Sequence, residues 1–223
     1  MKPFKPFLVA LSVLVLQACA TVPAAPPPVA VVDISGKTCV GEPSLAAAIS
    51  LTPIKKNAYF AVSTQVDSAK PCLTAGGESG NYVVYALPEH GDNHTLTVGG
   101  VQEVLRTFAP SVSLLDAEGK VTRTFTDDRY AVLGNILGIQ FRPTAAEKYV
   151  LVQSNPHMVG KSVNTFETRI NYTQGYAATP YAGYSYQTAH GTEGKHERVF
   201  SHEGYVSVTI QAIAGKIGLP DEK

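Results

Sequence analysis

Five of the eleven tyrosines fall within fifteen residues, at Tyr172, Tyr176, Tyr181, Tyr184 and Tyr186, among Gly175, Pro180 and Gly183. Exposed phenol rings stack on sugar faces while their hydroxyls hydrogen-bond, and loops punctuated by Gly and Pro present such groups. These five are the candidate ligand-binding residues. The competing expectation is that they pack on the domain body or form a low-complexity loop. His190, His196 and His202 recur every six residues, with Glu193 and Glu197 between them. Imidazole and carboxylate suit a transition metal, but a six-residue step fits neither i,i+4 on a helix nor a tight turn, and H-E-x-x-H is absent. On a strand the step would put successive histidines on one face about 20 Å apart. Surface histidines are therefore expected, with no metal and no cofactor. Gly183-Tyr184-Ser185-Tyr186-Gln187 misses the G-x-S-x-G nucleophile elbow at its last position. Asp127-Asp128, flanked by Arg129, reads as a solvated turn rather than a carboxylate pair. Gly76-Gly77 and Gly99-Gly100 read as turn glycines without a phosphate-binding Lys-Ser/Thr partner. No catalytic residue is assigned, and the chain is not expected to be an enzyme.

The elements that would carry these residues read as β structure. The 223 residues are 44% hydrophobic and 16% charged, enough apolar content to bury a core. Lys+Arg and Asp+Glu balance at 18 each, which leaves no basic stripe for nucleic acid. Phe60, Val62, Thr64 and Val66 alternate with period two. Asn81–Leu87 is bounded by Gly80 and Pro88, and Thr95–Val98 is stopped by Gly99-Gly100. Ser111–Leu115 and Val121–Phe125 flank Asp116-Ala117-Glu118-Gly119-Lys120, a hairpin signal. Ile139–Phe141, Lys148–Val152 and Tyr205–Ile210 complete the set. Short strands with Gly/Pro punctuation suggest an antiparallel β-sandwich, jelly-roll-like. One segment breaks the pattern: after Ser154-Asn155-Pro156, residues Val159, Val163, Phe166 and Ile170 share a helical face and predict one short helix.

The N-terminus reads as an address. Lys2 and Lys5 precede the apolar run Phe7–Leu16, which as a helix rises about 15 Å and cannot cross a hydrocarbon core of about 30 Å. Leu16-Gln17-Ala18-Cys19 resembles the lipobox of bacterial lipoproteins, which implies cleavage before Cys19 and acylation of that residue. Two or more acyl chains, at about 0.8 kcal/mol per buried CH₂, hold a domain on a bilayer. Ala20 after the cysteine implies, by the same resemblance, release to the outer membrane with the domain facing the periplasm. The expected organisation is a signal peptide over 1–18, lipidated Cys19 with an Ala/Pro-rich tether over 19–36, a β-domain over 37–211 and a tail over 212–223.

Cys39 and Cys72 then remain in an oxidising compartment. A bridge between them would close 33 residues (72 − 39), worth about 3–4 kcal/mol of loop entropy. A metal pair and a reactive thiol are the alternatives. Neither cysteine lies in C-x-x-C spacing, so a structural disulfide is expected.

Several blocks resemble the maltose operon periplasmic protein family. Phe108-Ala109-Pro110-Ser111-Val112-Ser113-Leu114-Leu115-Asp116-Ala117-Glu118-Gly119-Lys120 is similar to its FAP-x-V-x-x-LD-x-x-G core. Ser79-Gly80-Asn81-Tyr82-Val83-Val84-Tyr85-Ala86-Leu87-Pro88 is similar to a strand that ends in Leu-Pro. Lys148-Tyr149-Val150-Leu151-Val152, with Pro156 and Gly160-Lys161-Ser162, is similar to a third stretch, and His202-Glu203-Gly204-Tyr205-Val206 to the closing strand. The segment Thr173 to Lys195 departs from the family in its Tyr and Gly content. The resemblance implies a non-catalytic envelope β-sandwich, accessory to maltodextrin or other glycan handling. The alternative is a structural or assembly lipoprotein that binds an envelope protein through a strand edge or the Tyr-rich segment.

Overall fold

The computed structural model describes residue 34 and residues 36–89 and 94–214. The signal, Cys19, the Ala/Pro tether and the end of the tail lie outside them. The described residues form fourteen strands and two short 3₁₀ turns, arranged in three sheets with no α-helix.

The first sheet is built on β4 (Glu78–Ala86), followed laterally by β11 (Tyr149–Ser154), β7 (Pro110–Leu115) and β8 (Val121–Thr124). On its other side β4 pairs with β1 (Ile49–Ser50) and, near its start, with β3 (Cys72–Ala75). The second sheet has the order β2 (Tyr59–Val66), β14 (Gly204–Ala212), β5 (His94–Val101), β10 (Ile136–Phe141) and β9 (Ala131–Leu133). The third joins β12 (Ser162–Ala178), β13 (Gly183–Ser201) and β6 (Arg106–Phe108). Pairing is antiparallel except for β1 with β4 and β6 with β13, so the first and third sheets are mixed and the second is purely antiparallel.

The period-two segments behave as their patterns require. Phe60, Val62, Thr64 and Val66 on β2 turn inward while Tyr59, Ala61, Ser63 and Gln65 face solvent. One hydrophobic cluster draws on both large sheets: Val83, Tyr85, Val112, Leu114, Val150 and Val152 from the first, and Leu96, Val98, Ile139, Phe141, Val206, Val208 and Ile210 from the second. β4 is buried on both faces. Its other side, with Tyr82 and Val84, packs on Leu73, Leu115 and Leu151 under Leu45 and Ala48. The N-terminal segment therefore lies over the first sheet, which is where the cysteines act. Cys39 and Cys72 are disulfide-bonded, as expected, and the adjacent Val40 bridges to Leu73. Lys37 Nζ donates to the buried Asn81 Oδ1 (2.8 Å), and Ser44 N donates to Tyr82 Oη (3.0 Å).

Three expectations are corrected. The helix over Val159–Ile170 does not form. Asn155 opens a turn, and the chain enters β12 at Ser162. Val159 and Val163 do turn inward, onto Ala109, Leu137 and Phe200, but from a turn and a strand start. The β-branched and aromatic residues of β12 fit a ladder, and β13 supplies a partner to every one of them. Gly99-Gly100 is not a turn but lies within β5, near its C-terminal end. Gly99 pairs with Gly138, and a Cβ there would lie 2.6 Å from the Gly138 Cα. The pair exists because the two backbones meet too closely for side chains. The Tyr-rich segment, expected as a loop, is a hairpin.

Candidate functional site: the β12–β13 arm

β12 and β13 are 17 and 19 residues long and pair in register from Ser162–Val199 out to Ala178–Gly183. A strand of that length spans about 55 Å, several times the usual strand. Among the described residues, the contacts with the body lie at the root. Phe200 packs with Ala109 and Leu137, Arg198 Nε donates to the Glu103 carbonyl (2.6 Å), and Ala109 N donates to the Ser201 carbonyl (3.0 Å). At the tip Thr179 and Ala182 close the turn, Thr179 N donating to the Ala182 carbonyl (2.7 Å) and Ala182 N to Thr179 Oγ1 (3.0 Å). From residue 170 to residue 191 only Gly175 and Ala177 are even half-buried.

Register decides where the tyrosines point. Residues directly opposite share a face, and successive residues alternate. Tyr172 and Tyr176 therefore lie on one face, Tyr184 and Tyr186 on the other, and Tyr181 at the tip is 98% exposed. The structure does not gather the five into one cluster. It sets pairs back to back, with the Tyr184 and Tyr186 ring centroids 6.4 Å apart. Each face also has a glycine under a tyrosine: the Tyr186 ring covers Gly175 opposite it, and Tyr176 covers Gly183 diagonally. An aromatic ring laid over a cross-strand glycine shields backbone that would otherwise be bare, a known remedy for glycine in a strand.

The arm's chemistry is unusual for an exposed edge. No Asp, Glu, Lys or Arg occurs between residues 170 and 191. An open depression of about 470 Å³ lies along Gln174, Gly175, Tyr176, Ser185, Tyr186 and Gln187. It offers amides, hydroxyls and rings, with no carboxylate, imidazole, amine or thiol among these lining residues. A second depression of about 520 Å³ is lined by Arg123, Phe125, Arg129 and Gln140. There the Arg123 guanidinium is already committed to Glu147 (2.9 Å) and the Arg142 carbonyl (3.0 Å), over the rings of Phe125 and Phe141.

The histidines divide. His190 is exposed on the arm, whereas His202 is buried, against the expectation of a surface position. Its Nδ1 meets Ser154 Oγ at 2.8 Å, and burial holds its pKa below the ordinary value. Ser154 has no exposed surface, and His202 keeps only a small one. The pair belongs, with Glu103 and Arg106 (2.8 Å), to a polar root that fixes the arm on the body. Sequence reading missed this root because its partners lie 48 and 95 residues apart. Asp127 and Asp128 form a 3₁₀ turn, and Asp127 accepts from Asn155 Nδ2 (2.8 Å).

No protein-family model matches the chain, and no curated protein or solved structure is significantly similar to it.

Proposed function

We propose that this chain is a non-catalytic lipoprotein, anchored through Cys19 and facing the periplasm, whose body is a jelly-roll sandwich and whose arm docks on a protein partner in the envelope. The strand orders support the sandwich. Numbering β2, β4, β5, β7, β8, β10, β11 and β14 from one to eight, the second sheet runs 1-8-3-6 and the first 2-7-4-5. That alternation of the chain between two antiparallel sheets is the double Greek key of a jelly roll. The cluster common to both sheets supports their facing each other.

The observation that carries the docking role is the uncharged, solvent-exposed distal part of the arm, residues 170–191. Soluble proteins blunt exposed strand edges with charges, bulges or cover, because unpaired N–H and C=O groups invite another strand. The distal part of this arm, residues 170–191, keeps both strands bare of charge and has tyrosines on both faces, a composition suited to a protein interface. The blocks resembling maltose operon periplasmic proteins fall on β4, β7, β11 with the start of β12, and β14, so that likeness concerns the scaffold more than the arm.

Glycan handling is the second reading, favoured by the Tyr184–Tyr186 ring pair, which offers a platform for stacked sugar rings. Photo-cross-linking residues placed at 172 and 184 in the full chain, within the envelope, separate the two. Discrete protein adducts from arm positions, absent at exposed Tyr59 on the body, are expected. Saturable malto-oligosaccharide binding that is lost in Tyr184→Ala, with no protein adduct, would replace the docking role with the glycan role.

A further inference from the structure

We infer that the arm's partner is a second copy of this chain, paired antiparallel along the outer edge of β12 about a two-fold axis at Gln174. The inference rests on the docking role above and names its partner.

The edge is β12 because of the sheet order. β12 is the outer strand of its sheet along its whole length, whereas β13 is covered at its root by β6. The partner is a second copy because of charge. An edge that pairs with itself sets its residues against near neighbours from the same segment, so any charge cluster would meet like charge. The distal half of β12, Ile170 to Ala178, contains none. Antiparallel edge pairing is also self-complementary by construction, as a closed two-fold dimer requires.

The axis follows from the side chains. Centred on Gln174, the register places Tyr172 of each copy opposite Tyr176 of the other, on one face, and Ile170 opposite Ala178. The two rings are 63% and 70% exposed, so the pairing covers two of the more open aromatics in the molecule. Aromatic cross-strand pairs are among the stabilising kinds. Any odd-sum register would set residues of one face against those of the other, which the pleat forbids.

The area sets the conditions. Nine residues of edge make a strip about 30 Å long and about 10 Å deep, roughly 300 Å² per copy. Stable soluble complexes hide about 800 Å² per partner. The pair is therefore weak when free and closes when both copies share one surface at high local concentration. A two-fold axis along the bilayer normal lets both tethers reach the same membrane.

Gln174 is exposed, and at the axis it faces its own counterpart at a Cα separation of about 4.5–5.5 Å, inside disulfide range. Gln174→Cys is therefore introduced into the full, envelope-anchored chain, under mild oxidation, beside Ser185→Cys on β13. The expected result is a covalent dimer from Gln174→Cys, with at least tenfold less from Ser185→Cys. Mixing Tyr172→Cys chains with Tyr176→Cys chains should give the heterodimer, and neither alone should link. Intact Cys39–Cys72 bonding reports that each variant has folded. A monomeric Gln174→Cys chain, or equal linkage at Ser185→Cys, overturns the inference. If the same monomeric chain still gives a photo-adduct with another protein from position 172, the docking role stands and only the second copy falls. If no position on the arm gives any adduct, both fall.

Discussion

Gly99 and His202 show how much a single position can decide. A methyl group at Gly99 would push into the Leu137 carbonyl and the Gly138 Cα, with no flexible side chain to yield. Gly99→Ala should cost about 1–3 kcal/mol in urea unfolding followed by tyrosine emission. His202 is held neutral by burial, so its folded pKa lies below the unfolded 6.5. As pH falls below 6.5, the unfolded chain takes up the proton first and stability declines towards the folded pKa; above 6.5 the group contributes no slope. His202→Gln should flatten that acid limb in a melting series from pH 7.5 to 5. Residue types made the tyrosine cluster legible in the sequence. Their division between two faces was not, because facing depends on the register with β13. Likewise Gly99-Gly100 carries the composition of a turn, and only the opposing Gly138 reveals a close approach within a sheet.

Among the elements, the local β patterns were the most readable: alternation in β2 and the Gly119 turn, with its φ of 86°, both sit where the sequence puts them. The β12–β13 hairpin was the least readable. Val159, Val163, Phe166 and Ile170 have helical spacing, yet tertiary pairing with β13 overrides it. The N-terminal segment is an element held by covalent chemistry as much as by packing. Cys39→Ser, with Cys72→Ser to avoid a free thiol, should lower stability by about 3–4 kcal/mol. Amide exchange should rise first in residues 37–48 and in β3, which the bridge holds over the first sheet. Replacing residues 171–190 by a two-residue Asn-Gly turn should leave the melting temperature of the body within about 2 °C, because the core clusters draw nothing from the distal arm.

At the scale of the whole molecule, tether, body and arm divide the work that we propose. In that proposal the lipid would confine the chain to a surface, the body would present the root, and the arm would reach outward from it. Cys19→Ser should abolish fatty-acid labelling of the chain and leave its signal uncleaved, read as a larger, unlabelled band, without changing the fold of the body. That the chain is mainly β was legible because strand patterning and turn residues are local signals. The proposed docking edge was not, because a backbone edge flanked by tyrosine faces leaves no motif in one sequence. The most direct measurement compares the full chain with the arm-shortened variant, both chemically cross-linked within the envelope before extraction in mild detergent and sized by light scattering. The expected result is an assembly larger than the 23.7 kDa chain for the former and a monomer for the latter, with equal melting temperatures. An assembly of unchanged size without the arm would contradict the docking role.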